Sequence, residues 1–176
     1  GEVEDGAVAA WNLLMGEVAA LPAGDSSADA LYQKLQGNNP DGTRNAALPV
    51  LLDAANFIDY MAAHIYAGAE DWPNHNWWAS RRRDALSEGW RFHAWDQEIS
   101  GISLTRTLCI FGQRFEEVNG SNSPAIVYDR LRRSPQFRAR FQRRLESLMF
   151  GRGPLTAAGW SARWAKRQAE IDQAIV

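Results

Sequence analysis

The alternation of apolar and polar positions divides the chain into helical stretches on either side of one short aromatic region with strand character. Trp11, Leu14, Met15 and Val18 recur at the spacing that gives a helix one apolar stripe, and Pro22-Ala23-Gly24 is expected to end it. Ser26 and Ser27 stand as N-caps for a short helix carrying Leu31 and Leu35. The turn-rich run from Gly37 to Gly42 follows, and helical patterning resumes soon after it. Asp53 is placed to cap the next helix, whose stripe is Phe57, Ile58, Met61 and Ile65 and which Gly68 breaks. His64 reads as a surface or packing residue. It lies five positions from Asp59, so the two point to different faces and share no metal site.

Trp77 to Arg83 and Trp90 to Asp96 read as two strands joined through the turn residues Asp84 to Gly89. A hairpin centred near Leu86 sets Asn76 opposite Asp96, about 5 Å apart; a slip of one residue separates them. Further on, Asn119-Gly120-Ser121-Asn122 reads as a flexible loop, and Ser123-Pro124 and Ser134-Pro135 each launch a helix with proline first. The second of these carries Phe137, Phe141, Leu145 and Leu148 on one face and a row of arginines on the other. Thr156 can cap a last helix with Trp160, Trp164, Ile171 and Ile175 near one stripe.

Composition narrows the function classes. The 176 residues are 45% hydrophobic and 23% charged, which is globular and enough for a sizeable core. A net charge of −2 argues against a general nucleic-acid binder, so the arginine rows read first as solvated faces. The single cysteine, Cys109, excludes an intrachain disulfide and a cysteine-cluster zinc site. No run is apolar enough to span a membrane. The chain opens on Gly1 and stops in mid-pattern at Val176, which reads as a piece of a longer protein.

Candidate chemistry concentrates between Ala69 and Ser100. Asp71 precedes Asn76 by five positions, and Asp96 follows on the second strand. Phosphoryl transfer of the protein-kinase kind needs three such parts. An Asp receives the proton of the attacking hydroxyl, an Asn five residues on holds a metal, and an Asp on a later strand holds metal against the nucleotide phosphates. Oxygen ligands suit Mg²⁺ because it is hard, and few suffice because it keeps water and phosphate in its shell. By itself the spacing is equally that of a solvated turn beside an ordinary hairpin. Trp72, Trp77 and Trp78 are large enough to exclude water around the acid, and equally able to be plain core. His75 can bond either the loop or a phosphate. Glu98 shares the face of Asp96, as a second metal ligand or as a surface carboxylate. Arg81, Arg82 and Arg83 read as a hairpin tip in solvent before they read as a phosphate contact.

Taken together, Asn56-Phe-Ile-Asp-Tyr-Met61, Asp71-Trp-Pro-Asn-His-Asn-Trp77 and Trp90-Arg-Phe-His-Ala-Trp-Asp-Gln-Glu98 resemble the core of the CotH-type atypical protein kinases, a family named for a spore coat protein. Tyr128-Asp-Arg-Leu131, Phe137-Arg138 and Gly153-Pro-Leu-Thr156 follow that family's order, so the likeness covers nearly the whole chain. It implies an α+β, mainly α fold: the C-terminal lobe of a protein kinase, with helices around a central β-hairpin carrying the catalytic and metal residues. Residues 1–176 would then be a single partial domain, with the lobe that grips the nucleotide lying elsewhere. The resemblance implies transfer of the ATP γ-phosphoryl group to a protein Ser or Thr, with Asp71 catalytic, Asn76, Asp96 and Glu98 at Mg²⁺, and His75 at the nucleotide. It also implies an exported or cell-surface setting. The piece alone is expected to be inactive, since Lys34 and Lys166 both fall on expected helices away from the hairpin. A rival expectation is an inactive cell-surface or spore-coat-like binding module on the same scaffold. A third is a hydrolase using Asp71 and Asp96 as paired carboxylates.

Overall fold

The computed structural model describes residues 8–21, 25–69, 72, 73, 75–98, 100 and 123–175. The expectations for Pro22-Ala23-Gly24, Asp71, Cys109 and the Asn119 loop lie outside the described residues. Among the described residues six helices surround one two-stranded antiparallel sheet, so the architecture is mainly α. In chain order these are α1 (Ala9–Ala19), α2 (Asp25–Leu35), α3 (Ala54–Ala67), β1 (Trp77–Ser80), β2 (Arg91–Ala94), α4 (Pro124–Leu131), α5 (Pro135–Met149) and α6 (Ala157–Ile175). Two compact units result, Gly1–Arg138 and Ala139–Val176.

In the first unit α1, α2 and α4 pack on one another, and α3 packs on β2. The stripe of α1 buries Leu14, Met15 and Val18. Trp11, at its edge, is half-buried; its ring stacks on Trp77 at 5.5 Å and meets Trp90 edge-on at 5.3 Å. α2 begins at Asp25, so Ser26 and Ser27 lie inside the helix and not at its cap. The start of α5 is tied to α2 through Asp29. Its carboxylate accepts from the Ser134 hydroxyl and the Gln136 amide, and Ser134 Oγ in turn accepts from the Phe137 N–H at 3.0 Å.

α3 is built as its sequence reads. Asp53 Oδ1 accepts from the Asn56 N–H at 2.9 Å, Phe57, Ile58 and Met61 are buried, and Gly68 ends the helix at φ 60°. The helix matters because it holds the sheet. A two-stranded ribbon is marginal by itself. Here β2 is fixed from outside the sheet: Asn56 Oδ1 accepts from the Phe92 N–H at 2.6 Å, and Asn56 Nδ2 donates to the Phe92 carbonyl at 3.2 Å. Just before α3, Leu52 makes a parallel bridge with Trp90, through Trp90 N–H to Leu51 O and Asp53 N–H to Trp90 O. Arg91 adds an ion pair to Asp53 at 3.3 Å. The approach is so close that a Cβ at Gly89, itself at φ 93°, would collide with the backbone of Leu51 and Leu52. Phe92, fully buried against Phe57 and Tyr60, adds about 2 kcal/mol of apolar burial to this latch.

The strands are shorter than the sequence suggests, and the pairing differs by one residue. Trp77 pairs with Ala94, Trp78 with His93, Ala79 with Phe92 and Ser80 with Arg91, which carries Asn76 opposite Trp95 and not Asp96. The cause is the latch: β2 is registered by Leu52 and Asn56, not by the midpoint of the turn. Arg81, Arg82 and Arg83 fall in the connecting segment, where Arg82 pairs with Asp84 at 2.6 Å, both exposed.

In the second unit Phe141 and Leu148 are buried, and Thr156 caps α6 by accepting from the Gly159 N–H at 3.1 Å. The stripe of α6 is the exception to the sequence reading, since the helix has no buried residue and Trp164 is 68% exposed. No described helix is long and apolar enough to cross a membrane.

Asn56→Ala would strip both partners from the Phe92 backbone. Urea denaturation should show about 2–3 kcal/mol lost at unchanged m-value, with Asn56→Asp losing less because the acceptor remains. A loss below 0.5 kcal/mol, on the order of an exposed side chain's, would mean the latch does not hold the strand.

Candidate functional site

The polar junction forms where the two strands end. Asn76 precedes β1 and Asp96 follows β2, both beyond the last paired residues, so strand alternation no longer dictates where their side chains go. Both sit in the left-handed region, Asn76 at φ 61° and Asp96 at φ 48°. Side chains other than glycine enter that region at a cost of about 1–2 kcal/mol, eased for Asn and Asp by local hydrogen bonds. The distortion offsets the one-residue shift in register. Asn76 Nδ2 donates to the Asp96 carbonyl at 2.8 Å, so the two residues meet although they are not a cross-strand pair. Gln97 stitches the junction from behind, its Nε2 donating to Asn76 O at 3.0 Å and to Trp95 O at 2.6 Å.

This arrangement defines which atoms are left for a ligand. The amide of Asn76 spends its nitrogen on Asp96 O, which identifies Oδ1 as the acceptor end of that side chain. Among the described residues the carboxylates of Asp96 and Glu98 and the ring of His75 make no hydrogen bond or ion pair, and all three residues are exposed. The donor set is oxygen, as a hard cation requires. No three His, Cys, Asp or Glu residues gather as a metal cluster among the described residues. Asp71 is outside the described residues, so its place in the junction is a matter for the proposal below.

The tryptophans divide. Trp72 is 2% exposed, and Trp77 is half-buried against Trp11. Trp78 lies on the outer face at 42% exposure, so it is not core. On the same outer face His93 and Ser80 share a hydrogen bond at 2.8 Å.

Beneath the loop lies a group that sequence reasoning did not assemble. Trp72 Nε1 donates to the Tyr60 hydroxyl at 2.6 Å, and the His64 ring lies 4.9 Å from the Trp72 ring and 4.1 Å from that of Tyr60. His64 Nδ1 bonds the Tyr60 carbonyl at 2.8 Å, so Nδ1 carries the proton. Its Nε2 is buried with no hydrogen-bond partner. Burial lowers the His64 pKa, against a smaller raising effect of the bond to Tyr60 O, and burial pushes the Tyr60 phenol well up, with a lesser lowering by Trp72. The available signal was the four-residue spacing of Tyr60 and His64, which places both on one side of α3. Gln97 carried no such signal.

A mainly helical scaffold with a small antiparallel hairpin, whose open end brings Asn76 onto the backbone of Asp96, is the class of protein this fold defines. The family model described as CotH kinase protein matches residues 18–176, and the chain belongs to that family. No curated protein and no solved structure matches it.

Two predictions follow from the junction and the group beneath it. Asp96→Gly should leave thermal stability level or raise it, because glycine accepts φ 48°, whereas Asp96→Ala should cost about 1 kcal/mol; equal melting temperatures would remove the strain argument. His64 has a folded pKa below its ordinary 6.5, so the unfolded state binds the extra proton first. Its contribution is therefore complete above about pH 6.5 and is lost as the pH falls through the folded value, with a slope of up to ~1.4 kcal/mol per pH unit. Denaturation between pH 7.5 and 4.5 should show His64→Gln with a shallower acid loss than the parent. Parallel curves would assign the acid sensitivity to other groups.

Proposed function

We propose that the chain is the larger, C-terminal lobe of a protein kinase that transfers the γ-phosphoryl group of ATP to a Ser or Thr hydroxyl of a protein substrate. Family membership supports the reaction class. The observation that carries the assignment of residues is the Asn76–Asp96 junction. Two residues in the left-handed region are held together by an amide-to-carbonyl bond, with an amide oxygen and a carboxylate left over. Mg²⁺ at this place would neutralise phosphate charge and bridge the nucleotide to the protein. Asn76 Oδ1 and the Asp96 carboxylate would hold it, with Glu98 auxiliary.

Asp71 receives or orients the proton of the attacking hydroxyl. Five positions separate it from Asn76, and the loop is fixed at both ends, by buried Ala69 and Trp72 near Asp71 and by β1 after Asn76. His75 stands one residue from the metal position and donates to phosphate oxygen. The lysine that grips the nucleotide is assigned to a further lobe, since Lys34 pairs with Glu17 at 2.6 Å and Lys166 approaches Glu170 at 4.0 Å. An exported or cell-surface setting belongs to the same proposal.

The test is phosphate transfer from labelled ATP to protein by the longest form of the protein, with and without Asp96→Asn. That substitution keeps the side-chain shape and the tolerance for φ 48°. Activity should fall on the order of 100-fold or more while the melting temperature stays put. Undiminished transfer would remove Asp96 from the mechanism. A parent protein that neither transfers phosphate nor gains thermal stability from saturating ATP and Mg²⁺ would favour the inactive binding module.

A further inference from the structure

Between Gly68 and Asn76 the described residues lie in no helix or strand, so something else must hold them. The described residues show what does. α3 ends at Gly68, whose N–H bonds the His64 carbonyl at 3.1 Å and whose φ of 60° turns the chain out of the helix. Four residues later Trp72 returns to the same last turns of α3 and is 2% exposed there. A buried indole N–H needs an acceptor, and the Tyr60 hydroxyl at 2.6 Å supplies it. The His64 ring, inclined 33° to the indole at 4.9 Å, forms a wall of the socket. It is held in that orientation by Nδ1 to the Tyr60 carbonyl. Tyr60 therefore contributes three things to this group: a hydroxyl acceptor, a carbonyl acceptor and a ring face, the ring lying 6.1 Å from Trp72.

We propose that Tyr60 and His64 are positioning residues for the site described above. They form a rigid socket for the Trp72 indole and, through it, set the loop that runs from Asp71 to Asn76. The inference rests on the kinase reading for its catalytic meaning and on the Tyr60–His64–Trp72 geometry for its substance. Neither residue touches substrate. Asp71 is the immediate neighbour of Trp72, and Asn76 is four positions on, so indole placement is transmitted over a very short length of chain. An imidazole suits the wall because it offers a flat face to two aromatic rings and one N–H as a second donor to a helix carbonyl, a bond that a phenyl ring cannot make. Leucine would offer neither.

The experiment is a double-substitution cycle on the longest form of the protein, Tyr60→Phe, Trp72→Phe and both, read in two ways. The first readout is amide hydrogen exchange of the segment around Trp72 to Trp77, which needs no activity. Tyr60→Phe leaves a buried indole N–H unpaired, and should speed exchange in that segment about tenfold. The doubly substituted protein should match the single ones, since both act on one bond. The second readout is steady-state phosphate transfer. Turnover should fall about tenfold and by more than the ATP KM rises, because Asp71 adjoins Trp72 whereas His75 and Asn76 stand three and four positions on. His64→Phe, which keeps a flat ring, should retain more turnover and slower exchange than His64→Leu. Unchanged exchange in Tyr60→Phe, or effects that multiply in the double variant, would overturn the proposal. A parent protein without phosphate transfer would remove the kinase reading alone, and the exchange cycle would still decide whether the socket sets the loop.

Discussion

The site depends on a side chain that imitates a strand. Asn56 presents one acceptor and one donor to the backbone of Phe92, as a neighbouring β-strand would, and so completes the hydrogen bonding of β2 from the first turn of α3. Remove that contact and a four-residue strand has only an equally short partner to hold it. Because Leu51, Leu52 and Asp53 grip Trp90 in the same way, the position of β2 along the helix is held by contacts outside the hairpin. β1 then takes the register that brings Trp77 onto Trp11 and beside Phe92. Apolar burial on the inner face and polar geometry at the open end thus both follow from contacts made outside the sheet.

What that register leaves at the open end is backbone under mild strain. A pair of regular residues at positions 76 and 95 would close the ribbon with side chains alternating as usual. Instead the chain breaks its conformation on both sides, at Asn76 and at Asp96, and uses Gln97 to fasten the two breaks together. The arrangement exchanges some stability for side chains whose oxygen atoms are not consumed by the fold. It resembles the socket under Trp72 in its logic, because in both places a hydrogen bond fixes direction while the functional atoms stay uncommitted.

Much of this was legible from residue order, and the failures have physical causes. Helix α3 could be read to within its caps, because Asp53, the stripe of Phe57, Ile58 and Met61, and Gly68 act locally. The hairpin could be read as a hairpin, but not its register, because the force that sets it comes from Asn56, thirty-six positions away. Spacing paired Asn76 with Asp96, and the two do meet, by a backbone carbonyl and not by directly opposed side chains. The socket escaped because a tyrosine and a histidine on a helix carry no sign of which tryptophan will come back to them. For Ser26 and Ser27 the cap assignment failed because α2 extends further back, to Asp25.

The segment joining β1 to β2 has a separate consequence. Its ends are fixed by the ladder and by the Leu52–Trp90 bridge, while between them lie an exposed Arg82–Asp84 pair and the local turn at Asp84. The turn stands at the far end of the ribbon from Asn76 and Asp96, with about 3.3 Å of strand for each residue between. A peptide epitope or fluorescent reporter spliced at Ala85 or Leu86, both exposed, would therefore be carried away from that open end.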